Sequence, residues 1–151
     1  MLFESEEFDA KYLPPDRDDW RDAVFRYCTF SGIDIEGVSF DGVLQNCTFT
    51  ACTFYWGFFN TALLSNVRFL DCSFPGTSFR GVQFINCEFE RCQFTLDNLG
   101  GDCTIDGCVI AATTLTNCSW TSKPGRSKPD ITDTRWLGCT QSKCRGLEKL
   151  F

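Results

Sequence analysis

Between Phe25 and Trp120 a large apolar residue recurs at every fifth position of the chain. A period of five matches neither the 3.6 residues of an amphipathic helix nor the two residues of a half-buried strand. The large residues are Phe25, Phe30, Ile35, Phe40, Leu44, Phe49, Phe54, Phe59, Leu64, Phe69, Phe74, Phe79, Phe84, Phe89, Phe94, Leu99, Ile105, Ile110, Leu115 and Trp120. So short a period predicts a repeat architecture, in which each unit buries its apolar side chain by stacking on its neighbours.

A second inward position lies two residues before each large residue and is occupied mostly by small side chains. In an extended segment, residues two apart share a face, so each repeat directs one large and one small side chain inward. Asp97 is the misfit at this small position. Glycine and asparagine recur two residues after the large position, where a turning backbone favours them. The unit is therefore a short strand followed by a corner.

Four repeats would close one square turn, which places stacking partners twenty residues apart. The expected columns are Phe30, Phe49, Phe69, Phe89 and Ile110, and Phe40, Phe59, Phe79, Leu99 and Trp120. Asn46, Asn66, Asn86 and Gly107 would line one corner. The four-residue step from Phe40 to Leu44 indicates a deletion, and the six-residue step from Leu99 to Ile105 indicates an insertion that bulges at the glycines 100–101.

The tripeptides at 28–30, 47–49, 52–54, 87–89 and 92–94 read Cys-Thr-Phe, Cys-Glu-Phe or Cys-Gln-Phe. Together with the five-residue period, they make the chain similar to the pentapeptide-repeat family over about two-thirds of its length. The resemblance implies an all-β fold, a right-handed quadrilateral β-helix of about five coils. Cysteine and valine largely replace the alanine of the family pattern, and Asp or Asn is scarce at the outward position.

Four segments are expected along the chain. Residues 1–19 would form an N-terminal cap or strap, 20–120 the β-helix, 121–130 a flexible loop and 131–151 a C-terminal cap. The loop assignment rests on its Pro, Gly, Ser and Lys/Arg content. Trp20 lies five residues before Phe25 and is expected to begin the repeat.

Nine of the eleven cysteines fall on the small inward position, where a thiol serves as an apolar filler rather than as part of a disulfide framework. Cys139 and Cys144 lie beyond the continuous repeat, and packing of the cap, a redox-sensitive pair and metal binding remain open for them. The chain has no histidine, so we predict no metal site and no cofactor. No signal pattern or bilayer-length apolar run is present, which favours a cytoplasmic protein without membrane contact.

The residues give little support for catalysis. The sequence lacks histidine, a nucleophile beside a base and a phosphate-binding glycine loop, so we predict that the protein is not an enzyme. Asp97, predicted to point inward, is the one residue whose ionisation burial should strongly perturb. Residues 1–22 carry eight acids against three bases, whereas 121–151 carry three against seven. No basic stripe is apparent, so we expect no direct binding of nucleic acid.

One group of residues breaks the outward-polar pattern: Tyr55, Trp56, Phe58 and Leu63. Exposed apolar clusters of this kind mark interfaces unless another segment covers them. The N-terminal segment could supply that cover through Phe3, Phe8, Tyr12 and Leu13. The alternative is a partner interface or a homodimer, formed through this patch or through a coil end.

The leading hypothesis is a rigid protein-interaction module whose partner the sequence does not identify. The family resemblance implies an alternative, because some pentapeptide-repeat proteins mimic duplex DNA, bind DNA gyrase and protect it from quinolones or toxins. The net charge of −6 is compatible with that role.

Overall fold

The computed structural model of the protein describes residues 1–150, which form a four-sided β-helix of 24 short parallel strands. The first twelve are β1 (Leu2–Glu4), β2 (Glu7–Phe8), β3 (Val24–Arg26), β4 (Thr29–Ser31), β5 (Asp34–Glu36), β6 (Ser39–Phe40), β7 (Val43–Gln45), β8 (Thr48–Thr50), β9 (Thr53–Tyr55), β10 (Phe58–Asn60), β11 (Leu63–Ser65) and β12 (Arg68–Leu70). The others are β13 (Ser73–Pro75), β14 (Ser78–Arg80), β15 (Gln83–Ile85), β16 (Glu88–Glu90), β17 (Gln93–Thr95), β18 (Thr104–Asp106), β19 (Val109–Ala111), β20 (Thr114–Thr116), β21 (Ser119–Trp120), β22 (Asp130–Thr132), β23 (Arg135–Leu137) and β24 (Thr140–Ser142).

The strands stack into four flat faces, each a parallel sheet. Face 1 has the order β1-β3-β7-β11-β15-β19-β23, face 2 β2-β4-β8-β12-β16-β20-β24, face 3 β5-β9-β13-β17-β21 and face 4 β6-β10-β14-β18-β22. The strands from β3 to β22 therefore make five complete coils, and β1–β2 and β23–β24 add half a coil at each end. The prediction of an all-β quadrilateral β-helix of about five coils is confirmed.

The corners require backbone that most residues avoid. Asn46, Asn66 and Asn86 follow one another at the corner between faces 1 and 2, each with φ between 53° and 55°. Asparagine tolerates this left-handed conformation better than most residues. The N–H of each corner residue donates to the next coil, as from Asn46 to the carbonyl of Ser65 at 2.9 Å. Gly107 does not continue this corner, contrary to the prediction. It follows Gly81 at a different corner, where its N–H donates to the carbonyl of Thr132.

The large inward residues form ladders of stacked rings. In face 2, Phe30 stacks on Phe49 at 4.3 Å between ring centroids and Phe49 on Phe69 at 5.1 Å, with planes within 12° of parallel. The ladder continues through Phe89 to Leu115. Burial of these rings is the main source of stability for a chain that has little regular structure besides these short strands.

The small inward positions hold thiols that bond to the backbone. Cys72 donates its S–H to the carbonyl of Phe49, one coil away, at 3.4 Å, and Cys92 bonds in the same way to Phe69 at 3.2 Å. Burial raises the pKa of the Cys47 and Cys87 thiols to about 11, so they stay protonated and uncharged. All eleven cysteines are free thiols, and ten of them are buried, in agreement with the filler role.

The insertion after Phe94 is longer than the sequence indicated. Phe79 stacks in register with Ile105, and Phe94 with Trp120, so the step from Phe94 to the next large inward residue, Ile105, is eleven residues. Leu99 is 82% exposed and belongs to no column, contrary to prediction. The expected pairing of Phe89 with Ile110 is likewise wrong, because Phe89 lies opposite Leu115. Leu99 kept the five-residue spacing by coincidence, which concealed the loop.

Both terminal segments contribute strands to the β-helix. Phe3 of β1 stacks on Phe25 at 4.8 Å, and residues 9–16 then connect β2 to a 3-10 helix at Arg17–Trp20. Trp20 is fully buried, and its indole N–H donates to the carbonyl of Pro15 at 2.9 Å. At the other end, β22 to β24 continue faces 4, 1 and 2 into the segment expected to be a cap.

Cys139 and Cys144 therefore occupy small inward positions of the last coil, and their thiols bond to the carbonyls of Ile110 and Leu115. Leu147 closes this end and is buried, whereas Phe151, also assigned to the cap, lies outside the described residues. Within residues 1–150, no helix is long and apolar enough to cross a membrane.

Candidate interaction surface

Both long insertions leave the β-helix at the same edge, between faces 3 and 4. The first, residues 96–103, connects β17 to β18, and the second, residues 121–129, connects β21 to β22. Each replaces a five-residue step by one of eleven, from Phe94 to Ile105 and from Trp120 to Ile131. We call this part of the surface the loop-bearing edge: Tyr55, Trp56, Gly76 and the two insertions.

Tyr55 and Trp56 form the aromatic part of this edge. Tyr55 ends β9 and Trp56 occupies the corner with φ +56°, a left-handed conformation that is unfavourable for a bulky side chain. Their ring centroids lie 4.8 Å apart. Backbone that is held in a sparsely populated conformation needs support from its surroundings, and here the support comes from the first insertion.

Asp97 fixes the first insertion onto these aromatic residues. The indole N–H of Trp56 donates to Oδ2 of Asp97 at 2.8 Å, and the backbone N–H groups of Leu99 and Gly101 donate to its Oδ1, both at 2.8 Å. These donors, with Gly101 and Trp56 contributing most, hold the pKa of Asp97 below its ordinary value. The phenolic oxygen of Tyr55 accepts a further bond from the N–H of Asn98 at 2.7 Å.

The placement of Asp97 corrects the sequence analysis. Its side chain lies half-buried on the outside of the coil and accepts hydrogen bonds, so its pKa is lowered by donors rather than perturbed by burial in the core. Gly76, at the same edge one coil after Trp56, allows the approach, because a Cβ there would lie 2.8 Å from Cβ of Asp97. The glycine therefore makes room for the side chain that anchors the loop.

Asp102 joins the two insertions and was not identified from the sequence. Its side chain is only 6% exposed, its Oδ1 accepts the N–H of Lys123 at 2.9 Å, and its Oδ2 lies 3.2 Å from Nε of Arg126. Buried carboxylates are retained where donors and a cation satisfy them, as here. Recognising it from the sequence would have required the register of the second insertion, which the loop composition hides.

The structure separates the four residues of the predicted patch. Tyr55 and Trp56 lie together under Asp97 and Asn98. Phe58 begins β10 on face 4 with 37% of its surface exposed, and Leu63 begins β11 on face 1. Phe3 and Phe8, the expected cover, pack instead on Phe25 and Phe30. That these four residues bind a partner stays a prediction.

Neither loop carries an arrangement suited to chemistry at a metal. Across the part of the chain that the structure describes, no three His, Cys, Asp or Glu side chains come close enough to hold a metal ion. The groups that are present offer hydrogen bonds, charge and exposed aromatic surface. These are the means by which a surface binds another macromolecule.

The comparisons with known proteins agree with the fold. A family model described as pentapeptide repeats matches residues 62–96 with eight copies. The crystal structure of a pentapeptide repeat protein, Rfr23 from the cyanobacterium Cyanothece 51142, superposes with a TM-score of 0.64 at 11% identity, over 80% of this chain and 89% of that one. Trypsin-treated QnrB1, a plasmid-mediated fluoroquinolone resistance protein, superposes with a TM-score of 0.51 at 15% identity, over 95% of this chain and 68% of that one. No match to a curated protein sequence was found.

Proposed function

We propose that the chain, which matches the pentapeptide-repeat model over residues 62–96, is a non-enzymatic protein-interaction module that binds its partner through the loop-bearing edge. The main observation behind this proposal is that the two insertions start at the same edge of the β-helix. Both leave the coil between faces 3 and 4, and Asp102 connects them. Loops on a rigid scaffold are where binding residues are most often placed.

The exposed side chains of this edge fit a protein partner. Leu99 projects from the first insertion, Trp56 is 41% exposed beneath it, and Phe58 lies on the adjoining face. Aromatic residues are enriched where proteins bind one another, because they bury a large area at a small loss of conformational entropy. The basic side chains of Lys123, Arg126 and Lys128 lie on the second insertion, which Asp102 connects to the first.

A photo-crosslinking amino acid placed at Leu99 tests this proposal in extracts of the source cells. The control carries the same group at Thr114, an exposed position on face 2. A crosslinked protein that forms at position 99 only, and that excess unlabelled chain competes away, supports binding at the loop-bearing edge. Equal products at both positions, or none at position 99, would contradict it.

A second candidate is binding to DNA gyrase as a mimic of duplex DNA. What favours it is the fold likeness to a fluoroquinolone resistance protein, together with the net charge of −6. The test is a gyrase supercoiling assay with and without a quinolone, over a titration of the chain. Protection that weakens as the salt concentration rises would support this role, because charge-mediated binding is screened by salt. No effect at large molar excess would exclude it.

A further inference from the structure

We propose that the N-terminal end of the β-helix is a second binding site, which takes an extended basic peptide as an added parallel strand beside β5. The site lies on the outer side of β5, one strand away from Tyr55, and uses none of the residues of the loop-bearing edge, so it does not depend on the function proposed for that edge. Strand addition of this kind obtains affinity from backbone hydrogen bonds and specificity from side-chain pockets.

At this end of the molecule, β5 is the strand whose edge is left open. Face 1 ends in β1, face 2 ends in β2, and the 3-10 helix at Arg17–Trp20 packs against β6 of face 4. Within residues 1–150, face 3 ends in β5 itself, and no strand lies beyond it in the sheet. An unpaired edge strand exposes backbone groups that can pair with another chain.

A groove of about 440 Å³ runs along this edge, between β5 and residues 13–18, which include the start of the 3-10 helix. Trp20, Ile33 and Ile35 line its apolar side. Pro14 and Pro15 line the opposite side and have no N–H to donate. Residues 13–18 therefore lie near β5 without replacing the missing strand.

The pairing of β1 with β3 supplies the register for the added strand. There, the N–H of Val24 donates to the carbonyl of Met1 and the N–H of Ser5 donates to the carbonyl of Arg26, both at 2.9 Å. Asp34 and Glu36 hold the corresponding positions in β5. In this register, the Asp34 N–H and the Glu36 carbonyl point toward the groove and offer one donor and one acceptor.

The acidic side chains of β5 determine which peptide can bind. In β1, the middle residue Phe3 stacks over the core and Glu4 pairs with Arg26 at 3.0 Å. In β5, the middle residue is the buried Ile35 and its neighbours are the exposed acids Asp34 and Glu36. The complementary segment is therefore basic–apolar–basic, with the apolar side chain over Ile35.

The rest of the groove favours the same charge. Asp16 and Asp18 add two more exposed carboxylates, and Arg17 is the one cation among the described residues that line the groove. The side chain of Arg17 lies against Gly37 at the end of β5. Charged groups at an interface raise the rate and specificity of association. An acidic segment would meet four carboxylates and be repelled.

Fluorescence polarisation with a labelled peptide, Gly-Ser-Lys-Ile-Arg-Ser-Gly, tests the site on the full-length chain. We expect saturable binding, no binding of the charge-reversed peptide with Glu in place of Lys and Arg, and loss of binding when the second Ser is N-methylated. That methyl removes the N–H which would donate to the carbonyl of Glu36. Equal binding of the N-methylated peptide would overturn strand addition, and failure of the parent peptide to saturate would overturn the site.

A pair of double variants locates the binding. Asp34→Asn with Glu36→Gln should weaken it by about tenfold, because two exposed charge pairs are lost. Gln83→Lys with Thr114→Lys changes the net charge by the same amount at exposed positions on faces 1 and 2 and should leave the affinity unchanged. Equal weakening by both pairs would indicate unspecific attraction and contradict the site. A chain shortened in its first insertion should bind normally, which separates this result from the loop-bearing edge.

Discussion

The phenylalanine ladders and the loop-bearing edge use the same five-residue unit in opposite ways. In the ladder of face 2, Phe49, Phe69 and Phe89 repeat one environment at successive coils. At the edge between faces 3 and 4, the corner residue changes from Gly37 to Trp56 to Gly76, and insertions replace the next two corners. The ladder is uniform because each ring packs on its neighbours, whereas a corner projects outward and can be lengthened.

The insertions leave the ladders intact. Phe74 stacks on Phe94 at 5.1 Å and Phe94 on Trp120 at 5.2 Å, although the first insertion lies between the last two residues in sequence. A longer loop at a corner adds little closure entropy, since that cost grows slowly with length. Stability and surface can therefore vary independently in this fold.

The largest effect is expected in the ladder. Phe54 is fully buried, stacks on Phe74 at 5.3 Å and meets the edges of Phe49 and Phe59. Phe54→Ala should lower the free energy of unfolding by about 3–5 kcal/mol, measured by urea denaturation, because it removes a buried ring and leaves a cavity. Leu99→Ala at the exposed tip of the first insertion is the control and should change it by less than about 0.5 kcal/mol. Similar losses of unfolding free energy in both variants would contradict the distinction between the ladders and the loop-bearing edge.

The same contrast explains how much could be predicted from the sequence. The ladder residues are fixed by a periodic pattern, so the repeating strand and corner and the nine buried cysteines of the repeat follow from spacing, and the four faces and the number of coils follow from the family resemblance. The position of Asp97 could not be predicted, because Leu99 preserved the spacing and concealed an insertion longer than the single extra residue assumed. The pairing of Trp56 with Asp97 joins residues 41 positions apart and depends on a loop path without periodicity.

A smaller effect should separate two glycines with the same backbone conformation. Gly76 has φ +60° and Gly107 has φ +63°, but a Cβ would meet Asp97 at Gly76 and nothing within 4 Å at Gly107. Gly107→Ala should therefore destabilise the chain by about 1 kcal/mol through its left-handed backbone alone. Gly76→Ala should lose about 2 kcal/mol, because the methyl group also displaces Asp97.

Urea denaturation measures the difference in unfolding free energy between the two glycine variants. The NMR signal of the Trp56 indole N–H shows whether the difference arises at Asp97. That signal should shift in Gly76→Ala and stay in place in Gly107→Ala. Equal destabilisation with an unmoved indole signal would mean that Asp97 is not held against the edge.

Deleting the first insertion should change stability less than Gly76→Ala does and no more than Gly107→Ala does. Removal of residues 96–101 restores a five-residue step, in which Thr95 is followed by Asp102, Cys103, Thr104 and Ile105. We expect the free energy of unfolding to change by about 1 kcal/mol or less, because the ladder keeps its register and only the loop contacts are lost. Thermal unfolding followed by circular dichroism measures it. A chain that fails to fold would show that the insertion is part of the coil.

The smallest effect is the response of the edge to acid. The pKa of Asp97 is lowered in the folded protein, so the folded edge favours the carboxylate. The contacts of Asp97 should therefore be fully present above its ordinary pKa of 3.8 and be lost as the pH falls through the lower folded-state value. The indole N–H signal of Trp56, followed by NMR from pH 7 to pH 2.5, should move in that acid window toward the position of an indole exposed to water.

Asp97→Asn separates this titration from the general effect of acid. Asp71 also has a lowered pKa, because Arg91 bonds to it at the corner between faces 2 and 3, so the whole chain loses some stability in acid. The asparagine keeps an oxygen that accepts the Trp56 indole bond but has no proton to gain in this range. The chemical shift of the Trp56 indole N–H in Asp97→Asn should therefore stay constant until the β-helix itself unfolds. An equal change of the indole signal in the unsubstituted chain and in Asp97→Asn would mean that the acid response comes from the ladders. It would contradict the distinction between the ladders and the loop-bearing edge.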